Sequence, residues 1–328
     1  MSDQKNMILA IALSVVILIG FQFLAAEFGL TPTAPSQQAV EQGADPTPGF
    51  DGNSQAGAES TAPLPPTADS GSSAQAPAIV GGGQVDREAA LAATARIEIR
   101  TPTIDGSISL VGARIDDVVL DDYLVTLDPA SGPIHLLEPT NYVRPYYAEF
   151  GWVTTPGSDL VLPGPKTEWE TDATELTPDA PVTLRWTSPQ GLTFERRIAV
   201  DDGYMFTVTD TVSNGGDAAR ELFPYGLISR GGLPETTGFY ILHEGPLGVF
   251  DETLKEVDYD DLQEDGGQEA TSVGGWIGIT DKYWLAALVP DQTTEWSYKF
   301  RHSIRNQNDR FQVDYLGGAT QVPMGGEI

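Results

Sequence analysis

His243 and Glu244 stand side by side in the sequence, and a histidine with a carboxylate is the pairing with which a protein moves protons, one group donating while the other accepts. Little else of that kind is present. The chain has three histidines, His135, His243 and His302, none paired at metal-ligand spacing, and no cysteine. That excludes a thiolate nucleophile, a disulfide framework and a cysteine metal site, and it argues against zinc. Gly81-Gly82-Gly83 lacks the trailing Lys-Ser/Thr and the preceding strand of a phosphate loop, and there is no Ser/His/Asp or nucleophile-elbow pattern. On an extended segment adjacent side chains face opposite ways, so His243 and Glu244 read as a loop histidine and its neighbour rather than as a working pair. The sequence assigns no catalytic residue, no cofactor and no metal ligand.

Three aromatic residues, Trp276, Tyr283 and Trp284, could form a platform for stacking a sugar or a patch for a partner, although such side chains more often fill the core of a β-sandwich. Asp281-Lys282 between them reads as a turn with a local ion pair. Arg196 and Arg197 fall on opposite faces of one strand, so one of them must point inward. A buried charge is costly unless paired, and Asp210 on the neighbouring strand is the expected partner.

These residues sit in sequence with the two-residue period of half-buried strands. Ile97 and Ile99 alternate with Arg96, Glu98 and Arg100, and Ile108 and Leu110 repeat the pattern after Asp105-Gly106. A short helical lead-in over Arg87 to Thr94 precedes them. The clearest hairpin is Leu192 to Val212, its strands joined by Asp201-Asp202-Gly203 as a three-residue turn with glycine in the left-handed position. Phe194, Ile198, Phe206 and Val208 occupy alternate positions on its two strands. Turn signals recur at Pro163-Gly164-Pro165, Ser188-Pro189-Gln190-Gly191, Gly231-Gly232 and Gly274-Gly275, with no long helical period and no internal repeat. The folded part, residues 87–328, is expected to be a single large, mainly β sandwich.

Ahead of it lies a different kind of sequence. Met7 to Ala26 (MILAIALSVVILIGFQFLAA) carries no charge and as a helix would reach about 30 Å, the thickness of a bilayer's hydrocarbon core. A cleaved signal would be shorter and would end at a small-x-small site, whereas Leu24 or Phe23 would stand at the −3 position. The segment is therefore expected to remain as a transmembrane helix that contacts the lipid bilayer, with residues 1–6 in the cytoplasm on the weak positive signal of Lys5. Residues 27–86, rich in Pro, Ala, Gly, Ser and Gln, read as a disordered linker with a root-mean-square span of about 40 Å. Eighteen Lys and Arg stand against 47 Asp and Glu, a formal charge of −29. Such a surface repels phosphate backbones and anionic headgroups, so no nucleic-acid partner is expected.

Several blocks together resemble the YidC family of membrane protein insertases. They are the anchor beginning Asn6-Met7-Ile8-Leu9, then IEIRTPT (Ile97 to Thr103), ISLVGARIDDVVLDDY (Ile108 to Tyr123), GLTFERRIAVDDGYMFTVTDTVSN (Gly191 to Asn214), PYGLISR (Pro224 to Arg230), ILHEGP (Ile241 to Pro246) and GGWIGITDKYWLAALVP (Gly274 to Pro290). The resemblance implies a β-supersandwich like that of galactose mutarotases, held in the periplasm at the cell inner membrane of a Gram-negative bacterium. It implies a role in inserting and folding inner-membrane proteins, with nascent membrane proteins and the Sec translocon as partners. In that family five further transmembrane helices follow this domain and carry the insertion machinery. This sequence ends at Ile328 before a second apolar span, so what it encodes is expected to be the anchor and a non-enzymatic accessory domain. The competing expectation is a membrane-anchored carbohydrate-binding or mutarotase-like protein, in which His243 and Glu244 would exchange the anomeric and ring-oxygen protons.

Overall fold

The computed structural model describes Pro65 and residues 86–236, 242–305 and 307–328. Contacts divide the chain into Met1–Ala58 and Glu59–Ile328, and the described residues belong to the second unit. The anchor expected at Met7 to Ala26 lies outside the described residues, as does the expected linker apart from Pro65, which is buried, and Asp86, which is exposed. Among the described residues no helix is long and apolar enough to cross a membrane.

The helical lead-in is a helix, α1 (Arg87–Ala92), started by the Asp86 carboxylate accepting from the Ala89 amide at 2.7 Å. The strands that follow are β1 (Arg96–Arg100), β2 (Ile104–Ser109), β3 (Arg114–Leu124), β4 (Pro133–Leu137), β5 (Tyr146–Val153), β6 (Glu175–Leu176), β7 (Val182–Thr187), β8 (Leu192–Val200) and β9 (Phe206–Asn214). After them come β10 (Arg220–Gly231), β11 (Gly245–Phe250), β12 (Thr253–Glu256), β13 (Gly267–Val273), β14 (Trp276–Thr280), β15 (Leu285–Leu288), β16 (Glu295–Arg305), β17 (Asn308–Gly317) and β18 (Thr320–Val322). A second helix, α2 (Tyr259–Asp265), is stopped by Gly266 in the left-handed conformation. It is only two turns of mostly acidic residues and leaves no apolar period to read in the sequence.

Eleven strands form one sheet in the order β13-β16-β17-β10-β5-β3-β2-β1-β6, with β18 on β10 and β4 on β3. Two smaller sheets, β12-β11-β14-β15 and β7-β8-β9, complete the fold. All three contribute to one apolar core: Ile97 and Ile99 from β1, Phe194 and Ile198 from β8, Ile277 and Ile279 from β14, and Phe300 and Val313 from β16 and β17. The fold is thus mainly β with sandwich-like sheets, as expected. On the other face of the large sheet Tyr147, Tyr225, Leu227 and Leu316 make a second, smaller buried cluster.

Local details depart from the sequence reading where side chains or register intervene. The loop of the β8–β9 hairpin is five residues, because Val200 pairs with Phe206. Its closure comes from the Asp201 carboxylate, which accepts from the amides of Gly203 and Met205 at 2.9 and 3.0 Å, and not from a left-handed glycine. Asp105-Gly106 lies inside β2, and the chain reverses before it at Thr101-Pro102-Thr103. Gly106 sits at a β-bulge with φ +150°, where a Cβ would come within 2.1 Å of the Asp117 carbonyl oxygen, so only glycine fits.

Candidate functional site

The hairpin places Arg196 directly opposite Asp210, and the pair is the buried bridge anticipated from alternation. Arg196 is 1% exposed and donates from Nε and Nη2 to the two Asp210 oxygens at 2.8 and 2.7 Å. Its guanidinium also lies 5.2 Å from the Trp169 ring centroid. Burial favours the neutral form, yet the charge and hydrogen bonds of Asp210, with Tyr225 and Glu149 beyond it, together hold the pKa above the usual arginine value. Arg197 takes the opposite, exposed face.

A second polar row, not anticipated from alternation, crosses the other face of the large sheet. Arg114 on β3 donates to Glu149 on β5 at 2.6 Å, and Tyr225 on β10 donates its hydroxyl to the same carboxylate at 3.0 Å. Tyr225 leans over Gly151, whose missing side chain makes the room. Arg96 pairs with Asp116, and Arg87 pairs with both Asp117 and Glu138. Burial raises the Asp116 carboxyl above the ordinary carboxylate range despite Arg96, and it raises the Tyr225 phenol with help from Glu149. Only strand pairing brings these groups together.

His243 and Glu244 precede β11 in a loop. The His243 Nε2 lies 3.0 Å from the Pro246 carbonyl oxygen, so it must carry a proton, while Nδ1 faces Asp258 at 3.5 Å. Nearby, Arg230 donates to Asp281 at 2.6 Å and packs 4.7 Å over the Tyr146 ring. Tyr259 joins this group: burial and the Asp281 and Glu244 charges push its phenol up to about 12 against the opposing pull of Arg230. The ion pair read locally as Asp281-Lys282 is therefore between Asp281 and Arg230, and Lys282 sits 5.0 Å from the Tyr283 ring instead. Among the described residues no three His, Asp or Glu side chains gather to hold a metal.

The aromatic trio does not fill the core. Tyr283 is 73% exposed, Trp284 is half-buried at the rim, and Trp276 lines an open cleft of about 610 Å³ with Asp251, Glu252, Ser272 and Gln292. The β14–β15 turn lifts Tyr283 and Trp284 out of the strands whose inward positions are already taken by Ile277 and Ile279.

The family model described as the YidC periplasmic domain matches residues 96–328, the whole of the β-fold. The chain belongs to the YidC family. Relatives named "Membrane protein insertase YidC" include one from Bradyrhizobium diazoefficiens, 41% identical over 99% of this chain and 52% of its own length. Another, from Methylobacterium radiotolerans, is 41% identical over 99% and 53%, and one from Nitrobacter hamburgensis is 46% identical over 74% and 40%. The chain spans about half the length of the relatives it matches. Among solved structures, a galactose mutarotase related enzyme from Lactobacillus acidophilus is similar with a TM-score of 0.44 at 11% identity, covering 71% of this chain and 94% of that one. A galactose mutarotase-like protein from Lactobacillus casei gives a TM-score of 0.41 at 11% identity, covering 71% and 97%. The YidC match and the described fold coincide, and the buried ion pairs Arg196–Asp210 and Arg114–Glu149 lie inside it.

Proposed function

We propose that this chain is the anchor and periplasmic accessory part of a membrane protein insertase, and that its β-fold meets partners rather than catalysing a reaction. In this reading residues 1–6 lie in the cytoplasm, 7–26 cross the inner membrane, 27–86 link, and 87–328 fold in the periplasm. Its clients are nascent inner-membrane proteins, handled alone or beside the Sec translocon. The observation that carries the reading is the match to insertase relatives along 99% of the chain. The chemistry of the loop supports a non-enzymatic role, because a general acid and base must both face one bound substrate and the His243 Nε2 is spent on the Pro246 carbonyl. Depleting the protein in its own host should leave newly made inner-membrane proteins outside the bilayer while secreted proteins continue to cross. Unchanged insertion under depletion would overturn the reading.

One observation favours a second reading, a membrane-anchored mutarotase-like or carbohydrate-binding protein. His243 and Glu244 stand close to Asp258, Tyr259, Arg230 and Asp281, which is a dense set of proton-carrying groups. Polarimetry of the full chain in detergent with several aldoses separates the two. No acceleration of anomer exchange is expected; acceleration that disappears in His243→Ala would install the second reading in place of the first.

A further inference from the structure

Three loops converge at one end of the fold around Tyr123. The end of β3 carries Tyr123, the β8–β9 loop carries Tyr204 and Met205, and the β14–β15 turn carries Tyr283 and Trp284. The Tyr123 ring meets Trp284 edge-on with centroids 4.6 Å apart, and it lies 6.4 Å from Tyr204. Thr103 donates its hydroxyl to the Gly203 carbonyl at 2.6 Å, which fastens the β8–β9 loop to the turn before β2. The cluster is thus built from fixed elements and yet faces solvent: Tyr123 is 42% exposed and Tyr204 44%, and the residues next to them and to Trp284 along the chain, Met205 and Tyr283, are 62% and 73% exposed. Contiguous apolar surface of this kind on a soluble fold marks an interaction site.

Acidic side chains border Tyr123 and Tyr204, while Lys282 lies against the Tyr283 ring. Asp121 and Asp122 immediately precede Tyr123, and Asp201 and Asp202 share the loop of Tyr204. Partial burial and the adjacent charges of Asp105 and Asp122 hold the Asp121 carboxyl above its ordinary value, so negative charge is crowded here. We propose that this patch docks a polypeptide segment carrying apolar side chains beside lysine or arginine. The rings and Met205 offer the apolar contact, and the carboxylates offer the complementary charge. The same carboxylates would meet the negative surface of an anionic leaflet, and a second copy of the patch would set like charge against like. The inference goes beyond the insertase reading, because it concerns binding of a peptide and not insertion.

The test uses the full chain in nanodiscs of phosphatidylcholine and two fluorescent peptides with the same leucine-rich centre, one flanked by lysines and one by glutamates. Anisotropy should show the lysine peptide binding about tenfold tighter at low salt, with the gap closing at high salt. Asp121→Asn with Asp122→Asn should remove the preference, and Tyr283→Ser, at a side chain already in solvent, should weaken both peptides at an unchanged urea midpoint. Equal binding of the two peptides, or variants that bind as the parent does, would overturn the proposal. So would quenching by brominated lipid that disappears in Trp284→Phe, which would assign the patch to the bilayer, or self-association abolished by Tyr283→Ser, which would assign it to a second copy. None of these outcomes alters the depletion result, so failure here and failure of the insertase reading are separately visible.

Discussion

Arg196 is buried with a single carboxylate to balance it, and that makes the pair asymmetric under mutation. Asp210→Ala leaves a charged guanidinium between Trp169 and the core and should cost about 3 to 5 kcal/mol. Replacing both residues by apolar ones, Arg196→Met with Asp210→Leu, should recover most of that loss, as read from urea midpoints. A single variant no worse than the double would mean that the arginine reaches water. This pair was legible from alternation alone, because two consecutive arginines on a strand cannot both face solvent. The Arg114–Glu149–Tyr225 row was not, since its members lie on strands whose adjacency, β3 beside β5 beside β10, is set by the order of the whole sheet. Tyr298 supplies a pH test at the same scale. Its hydroxyl donates to the Gly274 carbonyl at 2.6 Å, and burial pushes the phenol up to about 12. An unfolded tyrosine ionises near about 10, so between those values the unfolded chain has lost the proton that the folded chain keeps. Stability should therefore fall as pH rises from about 10 to about 12, and Tyr298→Phe should remove its share of that slope. Urea titrations across the window check it, and an unchanged slope would show that the phenol ionises in the folded state.

The β8–β9 hairpin shows how far a local pattern reaches. Its strands and the inward positions Phe194 and Ile198 follow from alternation, and their burial agrees, whereas the register is set by a five-residue loop that pairs Val200 with Phe206. Phe206 and Val208 are only partly buried, because they pack at the margin of the core rather than within it. Phe194→Ala should accordingly cost about 3 to 5 kcal/mol, and Phe206→Ala about 1 to 2 kcal/mol. Equal losses in denaturant unfolding would contradict this division of the hairpin. The turn was misread because a glycine after two aspartates suits a short left-handed turn, whereas the Asp201 side chain supplies a longer closure that local sequence does not distinguish. The aromatic trio was misread for a related reason. Residue type favours burial, but the β14–β15 reversal falls at Asp281-Lys282-Tyr283-Trp284 and leaves Tyr283 exposed and Trp284 half-buried between the core and Tyr123, while Trp276 on β14 lines the cleft beside Asp251.

For the molecule as a whole, the uncharged stretch Met7 to Ala26 and the formal charge of −29 bear on one question, which side of the membrane the β-fold occupies. A helix of that length spans the hydrocarbon core, and the residues after it, acidic throughout, would stand beyond the bilayer on a linker of about 40 Å. Lys5 before the span favours an amino terminus in the cytoplasm. Protease added to spheroplasts should cut within residues 27–86 and release a soluble fragment, if the Pro-, Ala-, Gly- and Ser-rich stretch is the linker proposed above. The released fragment should begin between residues 27 and 86 and retain the described fold, with the amino-terminal span left in the membrane. Protection of the linker in spheroplasts, with cleavage only after lysis, would reverse the orientation. A protein already beginning near Glu27 before protease is added would replace the anchor by a cleaved signal, and the β-fold would then be released without any membrane span at its amino terminus.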